Sequence, residues 1–348
     1  MHLITTALSA AIILLAASIN VSAQPHMKDP LWDRSTAMQF VDKARAMDSL
    51  KPMYEMARSG DEAGLMRALT GMSSDPDLTA PSRDYMVYSF TLGLGDMRAD
   101  AVSSEVMGWL AAYKPATWVA HEEHPRMAVP LFNVRAAAQG VANGWERQKA
   151  LDSAERALGE QPAQFISEYL AATQAGQRGY IDALERVPFE KTLELSRLAL
   201  EMLAGSPELT HLAARAAIAS GSSELLRRSI ALGQGPGLAR AFKDAAAELS
   251  AEESASLLED VMEKESDSKA ALAIALLAPG TLADPAVRDL MFNAMADQNL
   301  GASVALVLGS SADPEIQSRL SEIATGGAGL EQQRAQLAIS FKPARRVD

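Results

Sequence analysis

His121-Glu122-Glu123-His124 is the densest set of chemistry-bearing side chains in the sequence. On a helical turn, imidazoles at i and i+3 share a face and can hold one metal ion, with a carboxylate or water completing the set. The second histidine comes one residue too early for the H-E-x-x-H helix of zinc proteases, and the order does not match its inverted form. A third ligand would have to be Glu122, Glu123 or a distant residue such as His211. The competing readings are an acidic solvated loop, or a loop that docks on a helical surface and shapes a binding site. Trp118, Phe132 and Trp145 lie close by in sequence; they would serve as aromatic anchors for such a site or equally as core residues.

Other chemistry finds less support. The sequence has no G-x-S-x-G, no phosphate-binding loop, no dinucleotide fingerprint and no cysteine, so nucleophile elbows, thiolate metal sites and disulfides are excluded and no cofactor is expected. Gly233-Gln234-Gly235-Pro236-Gly237 reads as a turn between helices, because no strand precedes it. A copper chelate at an amino terminus of Gln24-Pro25-His26 fails because Pro25 has no amide to deprotonate. Methionines from Met27 to Met97 suggest soft-metal chemistry, but they stand among leucines and alanines at helical spacing, where methionine fills core space. Paired acids such as Glu252 and Glu253 fall at helix starts, where the backbone dipole accounts for them.

The elements that must position these groups read as helices throughout. Ala283-Asp284-Pro285 recurs as Ala312-Asp313-Pro314, about 29 residues on, within the range of helical-repeat arrays. Each aspartate is placed to accept from the free amides of a first helical turn, and the following proline suits the first helical position. Val287, Leu290, Met291 and Ala294 then form one apolar stripe, and Ile316, Leu320 and Ile323 another. Val304, Val307 and Leu308 mark a second helix between the copies. Ser206-Pro207-Glu208 repeats the capping device upstream, and Ser250 with Glu253 has capping-box spacing.

Upstream, helices are expected at Phe132–Trp145 and Glu146–Leu158 as a pair, then at Glu190–Leu203, Pro207–Ser220, Glu224–Leu232, Leu238–Leu249 and Glu252–Lys264. The prolines of Tyr113–Val129 should interrupt the array as a loop, with an extended segment at Trp118 and Val119. Asp33–Leu50 reads as one amphipathic helix of a less regular helical region, 24–112.

At Asp284-Pro285-Ala286-Val287-Arg288, and at Asp313-Pro314-Glu315-Ile316-Gln317, the chain resembles the opening of bacterial HEAT-like repeats. It has one residue fewer before the Val-Arg pair, and Gln317 stands in place of the second arginine. The resemblance covers about a fifth of the chain, best at 270–341, and implies an all-α solenoid of stacked helical hairpins over 130–341. Scaffolds and adaptors are the functions it implies.

Met1–Ala23 carries an apolar run and the small-residue site Val21-Ser22-Ala23, the pattern of a secretory signal cleaved before Gln24. Its leading region lacks Lys and Arg, so an uncleaved membrane anchor is the competing expectation. No later segment is long and apolar enough to span a membrane. Net charge of −12 argues against nucleic acid or an anionic membrane as partner. The basic tail, 342–348, is the exception and has the composition of a frayed terminus.

Together these readings lead to the expectation of a periplasmic or secreted, non-enzymatic α-solenoid whose concave surface binds another envelope protein or peptide. The competing expectation is a metal-binding or metal-dependent hydrolytic protein using His121 and His124.

Overall fold

Nineteen α-helices and one two-stranded sheet make up the described residues, which in this computed structural model are 31–340. The fold is all-α and helical-repeat-like. The expected signal segment, 1–23, with His26, Met27 and the basic tail, 342–348, lies outside the described residues. The chain forms two compact units, with the boundary between Ala142 and Asn143.

The first unit contains α1 (Arg34–Gln39), α2 (Lys43–Ser59), α3 (Glu62–Ser74), α4 (Ala80–Leu94), α5 (Ser104–Ala112), β1 (Trp118–Ala120), β2 (Ala128–Pro130) and the first part of α6 (Val134–Glu160). The single helix expected over Asp33–Leu50 is two. Asp33 caps α1 by accepting from the Thr36 amide at 2.8 Å, and Asp42 caps α2 through the Arg45 amide at 3.0 Å. Two strong N-cap residues nine positions apart start two helices. The Ser82 hydroxyl fixes the break, donating to the Phe40 carbonyl at 2.8 Å and accepting from the Asp42 amide at 2.9 Å. Helix α2 then runs through Pro52 to Gly60, whose φ of +75° is the left-handed conformation that ends helices most cheaply at glycine. Leu65, Leu69, Val87, Phe90, Leu94, Val106 and Leu110 form the buried interior. Met53 and Met86 join them, whereas Met47 is 72% exposed, so the methionine series divides between core and surface.

The second unit takes in the rest of α6 and then α7 (Pro162–Ala171), α8 (Gln174–Ala183), α9 (Phe189–Met202), α10 (Thr210–Ala219), α11 (Ser223–Leu232) and α12 (Gly235–Glu248). It continues through α13 (Ala251–Lys264), α14 (Asp267–Leu276), the single turn α15 (Ala278–Thr281), α16 (Pro285–Ala294), α17 (Gly301–Ser310), α18 (Pro314–Gly326) and α19 (Gly329–Ser340). The Asp-Pro repeats behave as expected: Asp284 accepts from the Ala286 amide and Asp313 from the Glu315 amide, each at 2.8 Å. Ser250 and Glu253 close a capping box at the start of α13. Ser206 makes no such bond; Pro207–Leu209 forms a 3₁₀ turn that feeds α10. The pair expected at Phe132–Trp145 and Glu146–Leu158 is the one continuous helix α6, which runs through Asn143 and Gly144 with no proline to end it.

Packing in this unit is sequential. Helices α10, α12, α14, α17 and α19 touch in succession, while α9 meets α11 and α13 meets α16. Val287, Met291, Val304, Val307, Leu308, Ile316 and Leu320 all belong to one continuous buried cluster that begins at Leu151. Ala213, Ala214, Ala216 and Ala217 are fully buried on α10, small enough for neighbouring helices to close on it from several sides. Each helix buries its stripe only against neighbours, the behaviour of a quasi-one-dimensional array.

Polar contacts follow the same rhythm. His211 pairs with Asp244 at 2.7 Å, Arg215 with Glu185 at 2.8 Å and Glu248 at 3.2 Å, and Arg227 with Asp260. Arg319 reaches Asp289 at 2.5 Å. Two cations reach further back to carbonyls at or just past helix ends: Lys269 to Ile230 and Ala231, and Arg334 to Met295, Asp297 and Gln298. Cations there complement the negative end of the helix dipole.

Candidate functional site

The Pro-rich interruption folds as a β-hairpin. Trp118 pairs with Pro130, Val119 with Val129 and Ala120 with Ala128, and Trp32 adds a parallel bridge to Val119. The extended segment expected at Trp118 and Val119 is thus present. Its base is held by Asp84 of α4, which is fully buried. Asp84 accepts from the Tyr113 hydroxyl at 2.8 Å, the Ala116 amide at 3.0 Å and the Thr117 amide at 2.7 Å. Burial pushes the Asp84 carboxyl up, against the pull of these three donors. Burial, then the Asp84 charge, pushes the Tyr113 phenol well above its ordinary value. This carboxylate positions the whole hairpin, and nothing in the local sequence announces it: its partners lie about thirty residues downstream in the chain, and a carboxylate this deeply buried persists only when such donors satisfy it.

At the hairpin tip, the His121 amide donates to the Met127 carbonyl at 2.9 Å and the Met127 amide to the His124 carbonyl at 2.8 Å. His121 Nδ1 accepts from the amides of Glu123 and His124 at 3.2 and 3.3 Å. The two imidazoles stack with centroids 5.4 Å apart, so they lie on a turn and not on the helical face that i, i+3 metal sharing would use. Glu122 faces outward to Arg34 at 3.6 Å, and Glu123 is exposed. His211 is on α10 in the second unit, engaged by Asp244. Among the described residues no group of three or more His, Cys, Asp or Glu side chains is placed to hold a metal ion.

The aromatic residues separate. Trp118 is half-buried and donates from Nε1 to the Pro115 carbonyl at 3.0 Å. Phe132 is buried between Tyr85 and Tyr88, with centroids 5.4 and 5.6 Å away. Trp145 is buried on α6 in the second unit. Phe132 and Trp145 are therefore core residues, and of the seven residues singled out around the loop only the stretch from Trp118 to His124 forms one structural feature.

Concavities of a different kind recur along the second unit. Between α9 and α11, a cavity of about 270 Å³ is walled by Arg197, Glu201, Glu224 and Arg228, none of which forms an ion pair with another described residue. On the other side of α11, a cavity of about 250 Å³ has an apolar floor of Ile218, Leu226, Leu249 and Leu257, bordered by Arg227, Glu252 and Ser256. A smaller cleft separates α16 from α18, where the Arg319 guanidinium lies 4.2 Å from the Phe292 ring centroid. The glycine run between α11 and α12 serves packing: a Cβ at Gly233 would meet the Ser229 carbonyl and Thr210 Cγ2 at 2.5 Å, and the Gln234 amide donates to Thr210 Oγ1 at 3.1 Å. No described helix is long and apolar enough to cross a membrane. Compared with known proteins, the chain matches no protein family, no curated sequence and no solved structure.

Proposed function

We propose that the chain is an exported, non-enzymatic scaffold or adaptor, HEAT-like in its second unit, that binds another envelope protein or a peptide through the grooves between successive helical hairpins. The observation that carries this reading is the recurrence of those grooves on both sides of α11 and again between α16 and α18. Each joins apolar floor to charged wall, the composition of a recognition surface with an apolar centre and a polar rim. Arg197, Glu201, Glu224 and Arg228 form no ion pair with another described residue, so their charges are available to choose a partner and set its orientation.

Crosslinking the mature chain in an envelope fraction, followed by identification of the captured protein, tests this. An Arg197→Glu, Arg228→Glu double variant, checked for unchanged helicity, should lose most of one enriched partner. Capture of a broad set of unfolded peptides, or capture unaffected by the double variant, refutes a specific adaptor working through these grooves.

A further inference from the structure

A second, chemically distinct site lies in the first unit. Arg83 of α4, Trp109 of α5, Tyr113, Lys114 and Ser73 of α3 line an open cleft of about 440 Å³, within the ~300–1,000 Å³ typical of ligand sites. The Trp109 and Tyr113 rings stand together with centroids 5.6 Å apart. Neither cation at the cleft forms an ion pair with a described residue: the Arg83 guanidinium makes only a long 3.5 Å contact to the Asp75 carbonyl, and Lys114 is exposed. The two acids that touch the cleft's lining residues, Asp75 and Asp84, are already committed. Asp75 is paired with Arg45 at 3.3 Å, and Asp84 is buried beneath Tyr113 and turned toward it and the hairpin amides.

We propose that this cleft binds an acidic peptide segment of a partner, with Arg83 and Lys114 receiving its carboxylates and the Trp109–Tyr113 pair receiving an apolar or aromatic side chain. In a chain of net charge −12, two unmatched cations beside an aromatic wall form a local reversal of sign. Such a reversal draws anionic partners. A guanidinium offers a planar fork that fits carboxylate geometry, and an indole gives a flat apolar face at little entropic cost. The cleft is open along the surface, which suits a segment of chain passing through it. This site is independent of the second unit's grooves, and the Arg197→Glu, Arg228→Glu variant should leave it unchanged.

The test uses the full chain and an acetylated, amidated heptapeptide alternating Asp and Glu around one central Phe, followed by Trp109 fluorescence and by calorimetry. The Trp109→Phe variant identifies the fluorescence signal among the four tryptophans. The acidic peptide should bind, more weakly as salt rises, and its Asn/Gln counterpart should not. Lys114→Gln and Arg83→Gln should each weaken binding about threefold to tenfold. Lys114 is exposed, so its variant keeps the fold even if Arg83→Gln does not. The proposal is overturned if the neutral peptide binds equally well, or if Lys114→Gln leaves affinity unchanged. Saturation by acetate or benzoate at the same concentration as the peptide would also overturn it, because the occupant would then be a small carboxylate.

Discussion

Gly179→Ala is the sharpest test of how the second unit is packed. Gly179 lies inside α8, where exchanging glycine for alanine should by itself stabilise the helix by about 1 kcal/mol. The structure reverses that sign. A Cβ at this position would drive into the Arg147 carbonyl oxygen of α6 and would stand 2.9 Å from both the Leu151 nitrogen and the Ala150 Cβ. Two of these three obstacles are backbone atoms, so no side-chain rotation relieves them; α8 must shift off α6. Overpacking of this kind costs about 1–3 kcal/mol. Strain must first offset the propensity gain, so the net effect should be destabilisation of up to about 2 kcal/mol, seen as a lower urea midpoint. Gly108→Ala is the control: it lies inside α5 with nothing within 4 Å of an added Cβ, and it should raise stability by up to about 1 kcal/mol. Hydrogen exchange should locate the loosening of the Gly179 variant in α6 and α8. If Gly179→Ala instead stabilises the protein as much as Gly108→Ala does, the close approach of α8 to α6 is wrong.

Four further outcomes follow from the same contacts. Asp84→Ala removes the acceptor of the Tyr113 hydroxyl and two hairpin amides; at about 1–3 kcal/mol for a buried group left unpaired, it should cost at least about 2 kcal/mol and speed exchange at Thr117, read by urea unfolding and hydrogen exchange. Because burial raises the folded-state pKa of Asp84, the folded chain holds that proton more tightly than the unfolded one. Wild type should therefore gain stability relative to Asp84→Asn as pH falls from the raised value to the ordinary carboxyl value, and the gain should level off below it; a difference that stays flat in paired urea titrations would refute the assignment. Arg334→Met removes the guanidinium donor from the carbonyls of Met295 and Gln298, and one of the two donors to that of Asp297; it should lower stability by about 1–3 kcal/mol, with exchange rising at the end of α16. Metal analysis of purified protein should give no zinc that depends on the hairpin tip; stoichiometric zinc lost in a His121→Ala, His124→Ala double variant would instead support the metal-dependent reading.

Local chemistry was the legible part of this fold. Asp284, Asp313 and the Ser250–Glu253 box work within two or three residues of themselves, so the caps follow directly from sequence. The apolar stripes of α16 and α18 are equally local: Val287, Met291, Ile316 and Leu320 are buried, whereas Leu290, Ala294 and Ile323 are half-buried. Failures arose where a distant partner decides. The break between α1 and α2 depends on Ser82 and Thr79 bonding to Phe40, about forty residues away in the chain. Ser206 has the residue type of a cap, yet the chain there enters a 3₁₀ turn and its side chain caps nothing. The same limit hid the candidate surfaces. Arg83 and Lys114 have no shared motif, and only folding brings them to one cleft. Phe132 and Trp145 look like anchors by type, and only the surrounding rings and burial reveal them as interior residues.

The backward reach of Lys269 and Arg334 bears on how such a chain can change its length. Each cation ties its own segment to the end of a helix one step earlier, thirty-six to thirty-nine positions before it, and makes no demand on anything beyond. A block copied whole, with its tether and the carbonyls that receive it, would carry its own instructions for attachment. The array could then grow or shrink by a module while the remaining joints stayed as they were.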